Sequence, residues 1–443
     1  MRSRHPKTVY IETYGCQMNE ADSELMSGIV KSAGFSLVDD MALADVILVN
    51  TCAVRDSAEQ RAIGRLAELN KNKVQRPGVL LGVCGCMPKH VGENLMKEAP
   101  YVDLLVGPDS YRRLPDLIYA AMSERSQDLR LNRSETYAGL DRVRAGGSGA
   151  WITVMRGCDK FCTFCVVPYV RGRERSVPTD EIMAQAREAA AAGYREITLL
   201  GQTVNSYRWN GEDFADLLVN VSSVPGIERV RFTSPHPVDF TQKLVDTMAG
   251  VEQVCPHVHL PVQSGSDNVL KAMRREYTSA EYIDLVGRLR AAVPGISITT
   301  DILVGFPGET QEDYEATREM MERVRFDSAF TFRYSPREGT YAFKKMSDDV
   351  PEEEKGRRLS EVIDLQERIS REVNQALIGT DVEVLVEGRS KRRSGQLFGK
   401  TGSFKTAVFP DAGVEIGSLA TVTVVDATSH TLLSRANSIK ESV

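Results

Sequence analysis

Cys158-Asp159-Lys160-Phe161-Cys162-Thr163-Phe164-Cys165 sets three thiols at C-x3-C-x2-C spacing in one short loop. The β-rich run Trp151–Met155 precedes it, so the cysteines follow the carboxyl end of a strand. Five more strand candidates come later: Glu196–Leu200, Arg229–Thr233, His257–Pro261, Ser297–Leu303 and Ala329–Tyr334. Helical patterns separate them, including Asp180–Ala192, Val238–Met248, Ser279–Ala292 and Gln311–Val324. Six strand–helix repeats are too few for a complete eight-fold barrel and predict an incomplete, open one. Barrels of this kind carry their chemistry on the loops after the strands. Thiolates bind soft metals and iron–sulfur clusters. Structural zinc takes four ligands, and no nearby Cys or His follows this triplet as a fourth. A three-ligand centre leaves one metal position open, as catalysis requires.

Upstream, the runs Thr8–Tyr14, Asp45–Asn50, Val79–Cys84 and Asp103–Val106 alternate with helical patterns at Glu20–Ala33 and Asp56–Lys71. This βαβ order predicts a mostly parallel, doubly wound sheet. Three of the runs end at or beside Cys16, Cys52 and Cys86. The carboxyl ends of strands form the ligand crevice of such sheets, so three separated cysteines can converge there. Cys84 lies two residues before Cys86, and in extended backbone both face one side, which leaves the choice between them open. Arg142–Gly149 has the composition of a linker.

Downstream, Pro351 opens a charged helix to about Leu377, with Gly379 placed to end it. The remainder, Asp381 to Ala436, reads as a small all-β, OB-like barrel with strands at Val382–Glu387, Gln396–Lys400, Lys405–Phe409 and Ala420–Asp426. Its segment Gly388–Lys405 holds Arg389, Lys391, Arg392, Arg393, Lys400 and Lys405 and no acidic residue. A polyanion contact and a solvated loop both fit that charge.

The chain has 443 residues, enough for two or three domains, and 42% hydrophobic with 26% charged residues marks a soluble globular protein. A net charge of −6 argues mildly against nucleic acid, although an average hides local patches. Eight cysteines, seven of them within the first 165 residues, are too few for a disulfide scaffold. No signal-peptide pattern and no apolar run of membrane-spanning length is expected, which points to the reducing cytoplasm. His236, His257 and His259 sit near strand ends, where hydrogen-bonding roles outweigh metal ligation. Arg171, Arg173 and Arg175 follow the cysteine loop and suit phosphate contact, as do Arg333 and Arg337. Phe161, Phe164, Tyr169, Phe398 and Phe404 are candidates for stacking on bases.

The Cys158–Cys165 loop resembles the signature of the radical S-adenosylmethionine (SAM) superfamily. The resemblance narrows to its methylthiotransferases. It is carried by Tyr14-Gly-Cys-Gln-Met-Asn19, Asn50-Thr-Cys-Ala-Val-Arg55 and Gly85-Cys-Met87. Arg156-Gly-Cys158 through Pro168, Arg171-Gly-Arg-Glu174, Leu200–Tyr207, His259–Ser266 and Asp301–Thr310 extend it. The C-terminal barrel is similar to a TRAM domain, an RNA-binding module. The likeness covers nearly the whole chain.

What the resemblance implies is specific. Cys158, Cys162 and Cys165 would hold a [4Fe–4S] cluster that binds SAM, and its reduction would yield a 5′-deoxyadenosyl radical. Cys16, Cys52 and Cys86 would hold a second, auxiliary [4Fe–4S] cluster where sulfur is attached. Cys84 and Cys255 would be packing thiols. Gln202, Asn205, Gln263, Ser264, Asp301, Gly305 and Glu309 would lie near SAM. Arg171, Arg173, Arg389, Lys391, Arg392, Arg393, Lys400 and Lys405 would serve RNA. The expected units are residues 6–141, a doubly wound domain; 148–378, a partial (βα)6 barrel; and 379–442, the all-β barrel.

The expected reaction adds a methylthio group to carbon 2 of N6-(dimethylallyl)adenosine beside the anticodon of tRNA. One SAM would supply the methyl group and a second the radical. Expected partners are the tRNA anticodon stem-loop, an electron donor such as flavodoxin or ferredoxin, and a sulfur or cluster donor. No membrane is expected, and the chain is expected to be a monomer. Rivals within this architecture are methylthiolation of threonylcarbamoyl-adenosine or of a ribosomal-protein aspartate. A non-catalytic iron–sulfur or zinc RNA-binding protein is the alternative of a different class.

Overall fold

The computed structural model describes residues 7–53, 56–144, 146–391 and 394–436. The first unit is a six-stranded sheet in the order Ser36–Leu37, Thr8–Tyr14, Val46–Thr51, Leu80–Gly85, Leu104–Val106, Ser126–Asp128. Every pairing in it is parallel. Side chains alternate between its faces and build two cores. Val46, Leu48, Leu80 and Cys84 pack with Leu25 and Met26 of helix Gln17–Ser32. Ile47, Val49, Leu81 and Val83 pack on the other face with Leu66 and Leu69 of helix Asp56–Gln75. A sheet covered on both sides explains the unbroken apolar strands Val46–Val49 and Leu80–Leu81. The two edge strands, of two and three residues, are too short to show a period in sequence.

The second unit has six parallel strands: Gly149–Thr153, Glu196–Leu200, Arg229–Phe232, His257–His259, Ser297–Val304 and Ser328–Arg333. They form two three-stranded sheets, and a single Val230–Val254 bridge extends the first towards the second. All six expected strands occur, and the first starts two residues earlier than read. Its start uses up the end of the expected linker. The first residues of that linker, 142–144, lie along helix Gln17–Ser32, where the Val143 N–H donates to the Glu24 carbonyl at 3.0 Å.

Helix Glu352–Gln375 leads into the third unit, a closed five-stranded barrel. Its strands are Asp381–Arg389, Gln396–Thr401, Thr406–Pro410, Leu419–Ala427 and Thr431–Ala436. The last, absent from the sequence reading, pairs in parallel with Thr406–Pro410 and closes the ring. The long helix ends at Gln375, earlier than expected, and Gly379 donates its N–H to Val424 of the barrel. Among the described residues no helix is long and apolar enough to cross a membrane. Residue 6 and residues 437–442, the outer ends of the first and third expected units, lie outside the described residues, as do Arg55, Arg392 and Arg393.

Candidate active site

The first triplet leaves the barrel immediately after Met155–Arg156. Gly157 turns the chain with φ +79°, and a Cβ there would stand 2.0 Å from the Arg173 carbonyl oxygen. Its N–H donates to Gln202 Oε1 at 2.5 Å, so the loop after the second strand anchors the start of the cysteine loop. Each sulfur then has a donor group beside it. Cys158 Sγ lies 3.1 Å from Thr203 Oγ1. Cys162 Sγ accepts from Arg275 Nη1 at 3.4 Å, and Cys165 Sγ from the Val167 N–H at 3.4 Å. Burial pushes the Cys158 and Cys165 thiols up. They therefore release protons when a metal binds, and the donors favour the thiolate that results.

The second triplet is assembled from three strand ends of the first unit. Cys16 caps helix Gln17–Ser32 and Cys86 begins helix Cys86–Glu98. Helix starts favour anionic sulfur. The Cys16 thiol is pulled down to about 6, chiefly by its hydrogen bond with Cys52, with help from the Arg171 charge. Cys86 is raised by burial, against the pull of Arg171. Gly85, with φ +97°, breaks the strand, and a Cβ on it would meet the Thr51 carbonyl at 2.4 Å. That turn separates Cys86 from Cys84. Cys84 stays in the sheet core while Cys86 joins Ala53, Val166 and Val170. The two thiols therefore lie in different surroundings, Cys84 in the sheet core and Cys86 at the seam.

Two residues that the sequence reading quoted without a role hold this triplet together. Asn19 Nδ2 donates to Asn50 Oδ1 at 3.1 Å, and Asn50 Nδ2 donates to the Asn19 carbonyl at 2.7 Å. Both are fully buried. Their signal was present: each lies two or three residues from a motif cysteine.

The segment that follows Cys165 meets the Cys86 loop at the seam between the first unit and the barrel. Val166 and Val170, just after Cys165, pack on Cys86 and Ala53. Arg337, expected near RNA, instead is buried and donates to the Ala53 carbonyl at 2.7 Å and to Glu59. Among the described residues no three His, Cys, Asp or Glu side chains close around one metal point. A four-iron cluster takes each thiolate on a separate iron, so its ligands stand around a cube and not a point. The donors aimed at the sulfurs, and two buried guanidinium groups beside them, fit such anionic ligand sets.

Several expected contacts have other partners. Asn205 is spent on the backbone of His236, accepting at 2.8 Å and donating at 2.9 Å. Ser264 is fully buried against Thr317 Oγ1 at 3.1 Å. Gly305 donates to Glu309 Oε1 at 2.8 Å, and Arg358 holds the same oxygen at 2.7 Å. Those two residues fasten the long helix to the barrel. Gln263 is buried, and its backbone bridges to Ile302. Asp301 keeps 24% of its side chain exposed, with His259 Nε2 at 3.5 Å.

The RNA candidates divide in the same way. Arg171 is buried in the seam, where its Nε donates to Cys86 Sγ at 3.0 Å. Arg175 is buried on Asp109. Lys405 pairs with Asp327 at 2.5 Å and Lys400 lies over Phe404, so both serve the joint between the small barrel and the large one. Arg229 and Arg231 reach that hairpin too, donating to the carbonyls of Lys400, Thr401 and Gly402. Phe404 stacks on His257, with ring centroids 4.8 Å apart. Arg389, although ion-paired with Asp411 at 2.5 Å, and Lys391 remain exposed. Arg173 is exposed beside the cysteine loop, pairing with Asp159 and lying over the Phe161 ring. Tyr169, Arg274, Tyr341 and Phe343 are exposed near it.

Three family descriptions match the chain: Uncharacterized protein family UPF0004 over residues 8–107, Radical SAM superfamily over 152–321 and TRAM domain over 375–436. A Porphyromonas gingivalis protein named tRNA-2-methylthio-N(6)-dimethylallyladenosine synthase is 46% identical, covering 97% of this chain and 95% of its own. The protein of that name from Chlorobium luteolum is 48% identical, covering 96% of each. Among solved structures, the radical SAM methyltransferase TsrM from Kitasatospora setae, with cobalamin and a [4Fe-4S] cluster bound, matches with TM-score 0.58. It is 13% identical and covers 89% of this chain and 81% of its own. At that identity the likeness is one of fold.

Proposed function

This chain belongs to the radical SAM family of tRNA-2-methylthio-N(6)-dimethylallyladenosine synthases, and from that premise we propose how its residues divide the work. It is an enzyme that adds a methylthio group to carbon 2 of N6-(dimethylallyl)adenosine in tRNA, using SAM and [4Fe–4S] clusters. In our reading Cys158, Cys162 and Cys165 hold the SAM-binding cluster, and Cys16, Cys52 and Cys86 hold the auxiliary one. When bound, these groups supply an electron for SAM cleavage, a radical, a methyl group and a sulfur. The observation that supports the reading is the packing of the segment after Cys165, through Val166, Val170 and Arg171, on Cys86.

The protein residues supply position. Gln202 fixes the start of the cysteine loop, and Thr203 and Arg275 hold two of its sulfurs. Asn19 and Asn50 tie the Cys16 and Cys52 loops. Arg337 and the Val166–Val170 contact hold the Ala53 and Cys86 segments against the barrel. Arg173, Arg274, Tyr169, Tyr341 and Phe343 rim the loop, and cations interleaved with exposed aromatics suit unstacked bases of an anticodon loop. Arg389 and Lys391 of the TRAM barrel supply further phosphate contact. The reading includes a cytoplasmic monomer, a flavodoxin- or ferredoxin-type electron donor and a separate donor of sulfur or cluster.

Nucleoside analysis of tRNA from a strain lacking the gene tests the substrate. Loss of 2-methylthio-N6-dimethylallyladenosine, with its unmodified precursor accumulating, is expected. Persistence of the methylthio nucleoside there would refute it.

A further inference from the structure

Arg171 follows Cys165 by six residues, yet its side chain belongs to the other triplet. Nε donates to Cys86 Sγ at 3.0 Å and Nη2 donates to Asp22 Oδ2 at 2.9 Å. Asp22 lies in the helix that Cys16 caps, and it also accepts from Arg156 Nη2 at 2.8 Å and from the Tyr111 hydroxyl at 3.4 Å. Arg171, Arg156 and Asp22 are 4%, 2% and 0% exposed. Their direct contacts thus set two buried cations against one buried carboxylate. Such an excess of charge away from water needs an anion. The other polar group in contact with Arg171 is the Cys86 sulfur. Arg171 Nη1 has no hydrogen-bond partner in the protein, which leaves one more donor for an anionic group beside Cys86.

We propose that Arg171 is the positioning residue of the auxiliary site. It turns Cys86 towards Cys16 and Cys52, and it sets the reduction potential of the cluster they hold. The inference rests on the two-cluster reading above. Hydrogen bonds to cluster sulfurs and nearby positive charge favour the more negative, reduced state, so they raise the potential. Because Arg171 sits on the segment that continues from Cys165, the same side chain also fixes where the two triplets stand relative to each other. Its fork to Asp22 and Cys86 uses N–H groups on two separate nitrogens of one planar guanidinium, a span that the single ammonium nitrogen of lysine does not reproduce.

The test is a redox titration of the full-length, anaerobically reconstituted protein followed by electron paramagnetic resonance. SAM perturbs the signal of the cluster it binds, so the SAM-insensitive signal reports the auxiliary site. Arg171→Gln is expected to move that signal's midpoint to more negative potential, and Arg171→Lys to move it less far the same way. Asp22→Asn, which strips the counter-charge and keeps the guanidinium, is expected to move it to more positive potential. Should Arg171→Gln fail to fold, the opposite signs of the Lys and Asn variants carry the test. An unchanged auxiliary midpoint, or shifts of one sign in Arg171 and Asp22 variants, overturns the proposal. A wild-type protein with about four irons per chain, instead of roughly eight, would sink the two-cluster reading itself.

Discussion

One triplet comes from a single loop and the other from three loops spread over residues 16 to 86, although both offer the same three sulfurs. The local triplet is held by its own barrel: Gln202, Thr203 and Arg275 all belong to neighbouring strand-end loops. The dispersed triplet depends on a sheet register, on a buried amide pair and on a second unit pressed against it. A site built within one unit survives injury to the seam. A site completed across the seam does not.

The strongest way to break this contrast is to remove each triplet in turn. Replacing Cys158, Cys162 and Cys165 by Ala is expected to abolish 5′-deoxyadenosine release in anaerobic assays with dithionite. Replacing Cys16, Cys52 and Cys86 should leave that release and stop methylthio transfer to tRNA. Equal loss of SAM cleavage in both folded variants would end the division of labour.

Next in size is Gly157→Ala. Its Cβ would meet the Arg173 carbonyl at 2.0 Å in a left-handed conformation, a strain of about 1–3 kcal/mol. SAM cleavage should fall about tenfold or more while the auxiliary signal stays. The matching injury to the dispersed site is Asn50→Ala, which removes both bonds between the two buried amides and leaves Asn19 Nδ2 only the Thr51 carbonyl at 3.3 Å, a loss of about 1–3 kcal/mol. Iron analysis should show selective loss from the auxiliary site, with SAM cleavage retained.

The smallest effect is expected from pH. Glu59 holds His90 above the usual histidine value of 6.5, across the seam segment where Arg337 also meets Glu59. A raised histidine contributes stability below 6.5 that is lost as pH rises through its folded value. Glu59 is itself lowered, so its contribution fades only as pH falls below the usual 4.5. Thermal unfolding should therefore show stability declining by about 1 kcal/mol or less as pH rises past neutrality. His90→Gln should flatten that decline.

How much of this was legible depends on distance along the chain. The barrel strands announced themselves because each buried strand is followed by a helix of clear period, and the Cys158–Cys165 spacing lies within one loop. The dispersed triplet was readable only because each cysteine ends a strand of a parallel sheet. Arg171, Arg337 and Lys405 were read as RNA contacts for one reason. A cation's sequence neighbourhood does not show the carboxylate or sulfur that meets it from elsewhere, such as Asp22, Cys86, Glu59 or Asp327. The strand Thr431–Ala436 was missed because its value lies in closing a ring, which no local period expresses. Asn205, Ser264 and Gly305 follow strand ends as read, with polar groups taken up in joining loops and helices, while Glu309 bonds through Oε1 and keeps Oε2 without a partner.

The hairpin that seats the TRAM barrel grips Arg229, Arg231 and His257, residues at the start of the barrel strands. The cysteines stand beyond their other end. The protein is in that sense a gauge: an RNA that touches both the small barrel and the cysteine loop must reach past the eight-residue strand Ser297–Val304, roughly 25 Å. A folded stem-loop has that reach, whereas a free modified nucleoside does not.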